Sequence, residues 1–245
     1  AANGGEATLG IRPERLRGQY RGPVGDRTCR HDVSIKHVAE LRDKRERAEN
    51  SGVPAASGLT GAQTARAILD ANGLHDVRVV EVPGQLTDHY DPRKKVVSLS
   101  PANFRGATVA AHAVAAHEVG HAIQHANGYA PLQVRTALVP VATLGANFAP
   151  WLIILGAFIG ALGLVQLGVL LFGAAVLFQI VTLPVEFNAS SRAADQLATL
   201  GIATTSEVGG TRQVLNAAAL TYVAAAAGSI MYLLYYLSIF MGNRD

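Results

Sequence analysis

The sequence predicts a mainly α-helical membrane protein with about three transmembrane helices and a small antiparallel β-sheet. Three observations lead there. No Asp, Glu, Lys or Arg occurs from Thr136 to Val185, and none again from Gln213 to Asn243. A charge at mid-bilayer costs roughly 2.5–3.5 kcal/mol, so spans exclude charges over lengths that water-facing domains seldom do. Between Val77 and Leu99, short β-branched runs alternate with Pro, Gly and Asp, the pattern of brief strands joined by turns. Ahead of the first uncharged run, Ala107–Asn127 is rich in Ala and Val and closes on Asn127-Gly128, with Pro131 beyond it; this is how a helix ends.

In chain order, residues 1–52 mix Gly, Pro, Arg and acids without a period and predict a flexible charged segment. A short helix is expected near Val38–Glu49, where opposite charges fall at helical spacing. The segment has no apolar run, so no secretory signal peptide is expected. Cys29 is the one cysteine of the chain, which excludes a disulfide framework and a cysteine-rich zinc ribbon. Cys29, His31 and His37 read as a stray cluster in this segment. The net charge of +3 is small, and the cations are interleaved with acids. Without a nucleic-acid motif, the basic residues point to the membrane and not to nucleic acid.

Residues 53–135 predict a water-facing domain. Thr60-Gly61-Ala62-Gln63 resembles a capping box, with a helix to Ala71 and a stop at Gly73. Strands are expected at Val77–Val82, Gln85–Tyr90 and Lys95–Leu99; an edge of such a sheet can hold an extended peptide. One long helix over Asn103–Asn127 follows. Residues 136–185 have room for a transmembrane hairpin, placed near Leu138–Gly160 and Leu164–Leu183. Gly156 and Gly160 offer a small-residue face for close packing, and Pro150 a kink. Residues 186–212 continue the second span as a helix into water, stopped at Gly201, with a cap at Thr204–Glu207. Residues 213–245 contain the last span, near Leu215–Met241.

The chemistry is concentrated in His117-Glu118-Val119-Gly120-His121. On a helix, His117 and His121 project from one face a turn apart and can grip a zinc ion, with Glu118 beside it as a general base. The helix is in that sense zincin-like. The bland alternative, a helix with a polar face, would bury two imidazoles and a carboxylate without partners. A catalytic zinc takes three protein ligands and keeps one position open. His125 lies a further turn along, where helical rotation carries it away from the metal face. Gln124 and Asn127 replace the Gly and His of a three-histidine pattern. Glu186 is the first charge after the hairpin, and two spans return the chain to the side it left, beside His117 and His121. Arg192, His89 and Tyr90 are the candidates for stabilising developing charge.

The runs SGLTGAQTARAILDANGL, LTDHYDPRKKVV, AAHEVGHAIQHANGYAPL and FQIVTLPVEFNAS resemble the YugP-type neutral zinc metallopeptidases, a bacterial family described as membrane proteases. The resemblance extends over Ser57–Met241. It implies a zinc-dependent membrane peptidase with His117, His121 and Glu186 as ligands and Glu118 as base. The architecture is also similar to membrane proteases of the HtpX and CAAX-processing type. Those carry Glu-x-x-x-Asp at the third ligand, and Ser190 stands here at the place of the Asp. Members of the resembled family normally begin with a membrane helix, which residues 1–52 do not provide.

The expectation is therefore a gluzincin-like endopeptidase with one zinc ion, acting on peptides or membrane proteins within a lipid bilayer. Arg93, Lys94, Lys95, Arg105 and Arg135, ahead of the first span, favour a cytoplasmic zinc domain in a multi-pass cell-membrane protein. The alternative from another class is a membrane scaffold or adaptor whose structural zinc is closed off by His125.

Overall fold

The structure, a computed structural model, describes residues 27–242, with side chains from 36 to 238. Residues 1–26 and the side chains of Cys29 and His31 lie outside the described residues. The described chain is mainly helical, with three helices long and apolar enough to cross a membrane and a small mixed sheet.

Helix α1 (Arg27–Ser51) runs well past the short helix expected near Val38, so much of the segment read as flexible is helical. Its turns are tied by i,i+4 pairs, Lys36–Glu40, Arg42–Glu46 and Arg45–Glu49 toward solvent and the part-buried Asp43–Arg47. Such pairs contribute only about 0.2–0.5 kcal/mol each. The larger cause is tertiary: α1 lies along the last helix, α7 (Thr205–Gly242), and buries Asn50 there.

Helix α2 (Gly61–Ala71) opens with the reciprocal capping box of Thr60 and Gln63 and ends before Gly73, whose φ is +71°. Strands β1 (Arg78–Glu81), β2 (His89–Asp91) and β3 (Val96–Leu99) form a sheet in the order β1-β3-β2. The expected all-antiparallel sheet is thus corrected: β1 pairs with β3 in parallel, and β2 alone pairs antiparallel with it. The reason is the connection after β1. Instead of the expected strand from Gln85, the chain turns at Gly84 and Leu86, both at positive φ. Asp88 then anchors it on the Ser100 amide and hydroxyl and on Asn103. This carries the chain to the far side of β3, so β2 becomes the edge opposite β1.

The long helix expected over Asn103–Asn127 is two helices, α3 (Pro101–Arg105) and α4 (Val109–Ala126). Gly106 breaks the path, and the Thr108 side chain accepts the Ala111 amide to start α4 afresh. The core gathers Ile68 and Leu69 of α2, Val97 and Leu99 of β3, and Val119 and Ile123 of α4. Leu197, Val214 and Leu215 join it. They come from the end of α6 (Leu162–Thr199) and the start of α7, so those turns pack with α2, β3 and α4.

Helices α5 (Ala130–Phe158), α6 (Leu162–Thr199) and α7 (Thr205–Gly242) are the three membrane candidates. At 1.5 Å per residue, the 38 residues of α6 extend about 57 Å, against roughly 30 Å of hydrocarbon. One unbroken helix is therefore long enough to span a bilayer and still reach into the core. Trp151, Phe158, Leu170 and Leu234 are exposed on the apolar surface. Gly145 lets the α5 backbone touch Leu171 of α6. Of the expected Gly156/Gly160 packing face, Gly156 meets Val165, whereas Gly160 takes positive φ in the hairpin turn.

Candidate metal centre

The centre forms where α4 crosses α6. A Cβ on Gly120 would come within 2.6 Å of the Ala189 carbonyl oxygen, so this contact between the two backbones requires glycine. About a turn to either side of Gly120, α4 presents His117 and Gln124; α6 presents Glu186 about a turn before Ala189 and Ser190 directly after it. His117 and His121 meet edge to face with ring centroids 4.8 Å apart. Glu186 Oε2 lies 3.2 Å from His117 Nε2 and 3.7 Å from His121 Nε2. One ligand atom from each of the three residues falls within 4.8 Å of the others. Tetrahedral zinc with bonds of about 2.0–2.1 Å would hold neighbouring donors about 3.3 Å apart. Two imidazoles and a carboxylate at this spacing fit zinc by donor chemistry and by separation.

The outer nitrogens of both histidines are occupied. His117 Nδ1 is 3.2 Å from Ser190 Oγ, and His121 Nδ1 is 3.0 Å from Gln124 Oε1. Gln124 Nε2 donates to the Val185 carbonyl at 2.8 Å and to Asn188 Oδ1 at 3.0 Å. Burial opposes charging His121 most strongly. The ion pair with Glu186 at 3.7 Å, the field of Glu118 and the bond to Gln124 together outweigh it and raise its affinity for a proton above the ordinary value.

Glu118 is buried on α4 and makes no hydrogen bond among the described residues. It lines a cavity of about 640 Å³ together with His121 and Glu186. Asp88, His89 and Tyr90 bound this cavity on the side of β2, and Arg135 and Tyr222 bound it from α5 and α7. His89 Nδ1 is held by the Thr87 carbonyl, and the Tyr90 hydroxyl by His125 Nδ1 at 3.0 Å.

Of the residues singled out in the sequence, His117, Glu118, His121, Glu186 and Ser190 come together, and His89 faces the same cavity. Arg192 does not line it; its Nε donates to Asn188 Oδ1 at 2.8 Å. In the sequence, Gln124 serves only to exclude a third histidine and Arg135 only to orient the chain. Tyr222 lies in an uncharged, alanine-rich run with no signal that sets it apart, because Tyr232, Tyr235 and Tyr236 follow on the same helix.

A protein-family model described as "Putative neutral zinc metallopeptidase" matches residues 31–241. The chain belongs to this family. It is also 49% identical over 213 residues to the Bacillus subtilis (strain 168) protein named "Putative membrane protease YugP". That alignment takes in 87% of this chain and 95% of the Bacillus protein. No solved structure shows significant similarity to the chain. Family membership implies zinc, and His117, His121 and Glu186 are the group available to hold it among the described residues.

Proposed function

We propose that the chain is a membrane-embedded, zinc-dependent endopeptidase of the zincin type, with His117, His121 and Glu186 as ligands and Glu118 as general base. One observation carries the reading. Three donors from helices 69 residues apart in sequence converge beside an unbonded carboxylate, at the wall of a cavity bounded by a sheet edge. Zinc held there would supply Lewis acidity to water and to a peptide carbonyl.

The chain's own residues do the rest. Glu118 takes the proton of the attacking water and hands it to the leaving amine. Strand β2 pairs on one side only, so its outer edge can bind substrate backbone in extended form. The Tyr222 hydroxyl has no hydrogen bond among the described residues and is a donor for the carbonyl oxygen as it gains charge. The rival, a scaffold with a structural zinc closed by His125, is less well supported. His125 is engaged by Tyr90 and stands apart from the three clustered donors.

Substrates on this reading are peptides or membrane proteins presented at the bilayer surface. The basic residues before α5 argue for a cytoplasmic site; a labelling tag after Thr199 that reports the opposite side would overturn that orientation. The deciding experiment compares the parent with Glu118→Gln on a denatured membrane-protein substrate. The variant is expected to keep zinc and lose cleavage. Full turnover by zinc-loaded Glu118→Gln would refute the assignment.

A further inference from the structure

We infer that Gln124 is the positioning residue of the zinc site: it fixes the tautomer of His121 and ties that histidine to the backbone flanking Glu186. The inference rests on the metal-binding part of the proposed function and not on peptide turnover.

Gln124 is fully buried at 0% exposure, and its orientation follows from its partners. The Val185 carbonyl can only accept, and Asn188 Oδ1 also accepts, already receiving the Arg192 Nε–H. Both therefore demand the NH₂ end of Gln124. The reversed amide would set its oxygen against two acceptors and leave a buried donor unmet. With the amide so placed, Oε1 points at His121 Nδ1, 3.0 Å away. That contact is a hydrogen bond only if Nδ1 carries the proton. A neutral His121 then has its lone pair on Nε2, the nitrogen 3.7 Å from Glu186 Oε2, and Nε2 is the atom free to bind a metal.

The same side chain sets register. Its two acceptors are on α6, immediately before Glu186 and two residues after it. One amide thus links a ligand of α4 to the stretch that carries the ligand of α6. Arg192 acts through this chain by holding Asn188. Ser190 differs, because a hydroxyl rotates and both donates and accepts, so its bond to His117 does not choose a tautomer. The partner being an amide has an electrostatic reason as well. Glu118 and Glu186 already border the site, and a third carboxylate would have to be buried beside them.

The test uses the full chain in detergent, with zinc affinity measured against a competing chelator. It also reads the His121 tautomer by ¹⁵N NMR of the zinc-free protein, at a pH where the imidazole is neutral. Gln124→Met keeps the volume and is expected to weaken zinc binding about 10–100-fold and to leave His121 a mixture of tautomers. Gln124→Glu keeps an acceptor toward His121 but sets an oxygen against the Val185 carbonyl and Asn188 Oδ1, so it is expected to retain the Nδ1–H form while losing the tie to α6 and part of the zinc affinity. Parent-like zinc affinity and tautomer in Gln124→Met would overturn the inference. Should that variant fail to fold, Gln124→Glu decides alone: retention of Nδ1–H supports the inference, and a mixture overturns it. A parent that binds zinc without cleaving peptides would refute the proposed endopeptidase and leave the role of Gln124 intact.

Discussion

Replacing Gly120 by Ala isolates the contact on which the metal centre is built. In an ordinary helix the change is favourable by about 1 kcal/mol, because alanine is the better helix former. Here the new Cβ would stand 2.6 Å from the Ala189 carbonyl oxygen, with the Ala189 carbonyl carbon and Cα both at 3.2 Å. Ordinary heavy-atom contacts begin near about 3.5 Å, so α4 and α6 must separate by roughly 0.9 Å. The atoms in the way are backbone, which cannot swing aside as a side chain would. His121 Nε2 and Glu186 Oε2, now 3.7 Å apart, would separate by a comparable amount, whereas zinc–ligand bonds tolerate about 0.2 Å. Gly120→Ala is therefore expected to keep its helical circular dichroism and to lose at least about tenfold in zinc affinity. Chelator competition on the detergent-solubilised chain measures it. If the variant binds zinc as tightly as the parent, the α4–α6 contact does not set the site.

Two further outcomes follow from the same geometry. Tyr222→Phe removes one hydroxyl from the cavity wall; loss of a single donor to the developing oxyanion costs about 10²–10³ in kcat, with KM and zinc content nearly unchanged. Steady-state kinetics decide it, and a change confined to KM would reassign Tyr222 to substrate binding. The second concerns pH. His121 holds its proton above the ordinary value of 6.5 in the zinc-free protein, so its pairing with Glu186 stabilises that form fully below pH 6.5 and fades as pH rises through the raised value. Zinc requires the neutral ring, so the rise in melting temperature on adding zinc should be small at acid pH and grow as pH rises past 6.5. A zinc-induced shift that is the same on both sides of that value would contradict the picture.

How much of this was legible in the sequence differs from element to element, for physical reasons. The motif on α4 and the uncharged hairpin were readable because each is a local pattern, one of helical spacing and one of missing charge. The capping box of Thr60 and Gln63 was readable for the same reason. Strand pairing was not. Whether β1 or β2 lies antiparallel to β3 depends on where Asp88 anchors the intervening loop, and its partners Ser100 and Asn103 lie beyond all three strands. The length of α1 was hidden too, because its charged sequence becomes a long helix by docking on α7. Val214 and Leu215 belong to a run read as membrane yet pack in the core with residues of α2, β3 and α4. Apolar composition alone does not say which apolar phase a residue enters.

The residue hardest to see was Gln124, and the reason bears on how such a site is assembled. A histidine pair on one helix is local and survives in any context that keeps the helix. The third ligand is not local, and the two halves must meet to within a few tenths of an ångström. The hairpin of α5 and α6 brings the chain back toward α4, but an apolar helix of spanning length can slide or tilt by more than that. Closer control has to come from contacts that exist only when the halves are docked. Gly120 supplies the approach, and the Gln124 amide supplies the register by reaching Val185 and Asn188 around Glu186. Because α6 runs unbroken from Leu162 through Glu186 to Thr199, register fixed at this crossing holds along the whole of a single helix.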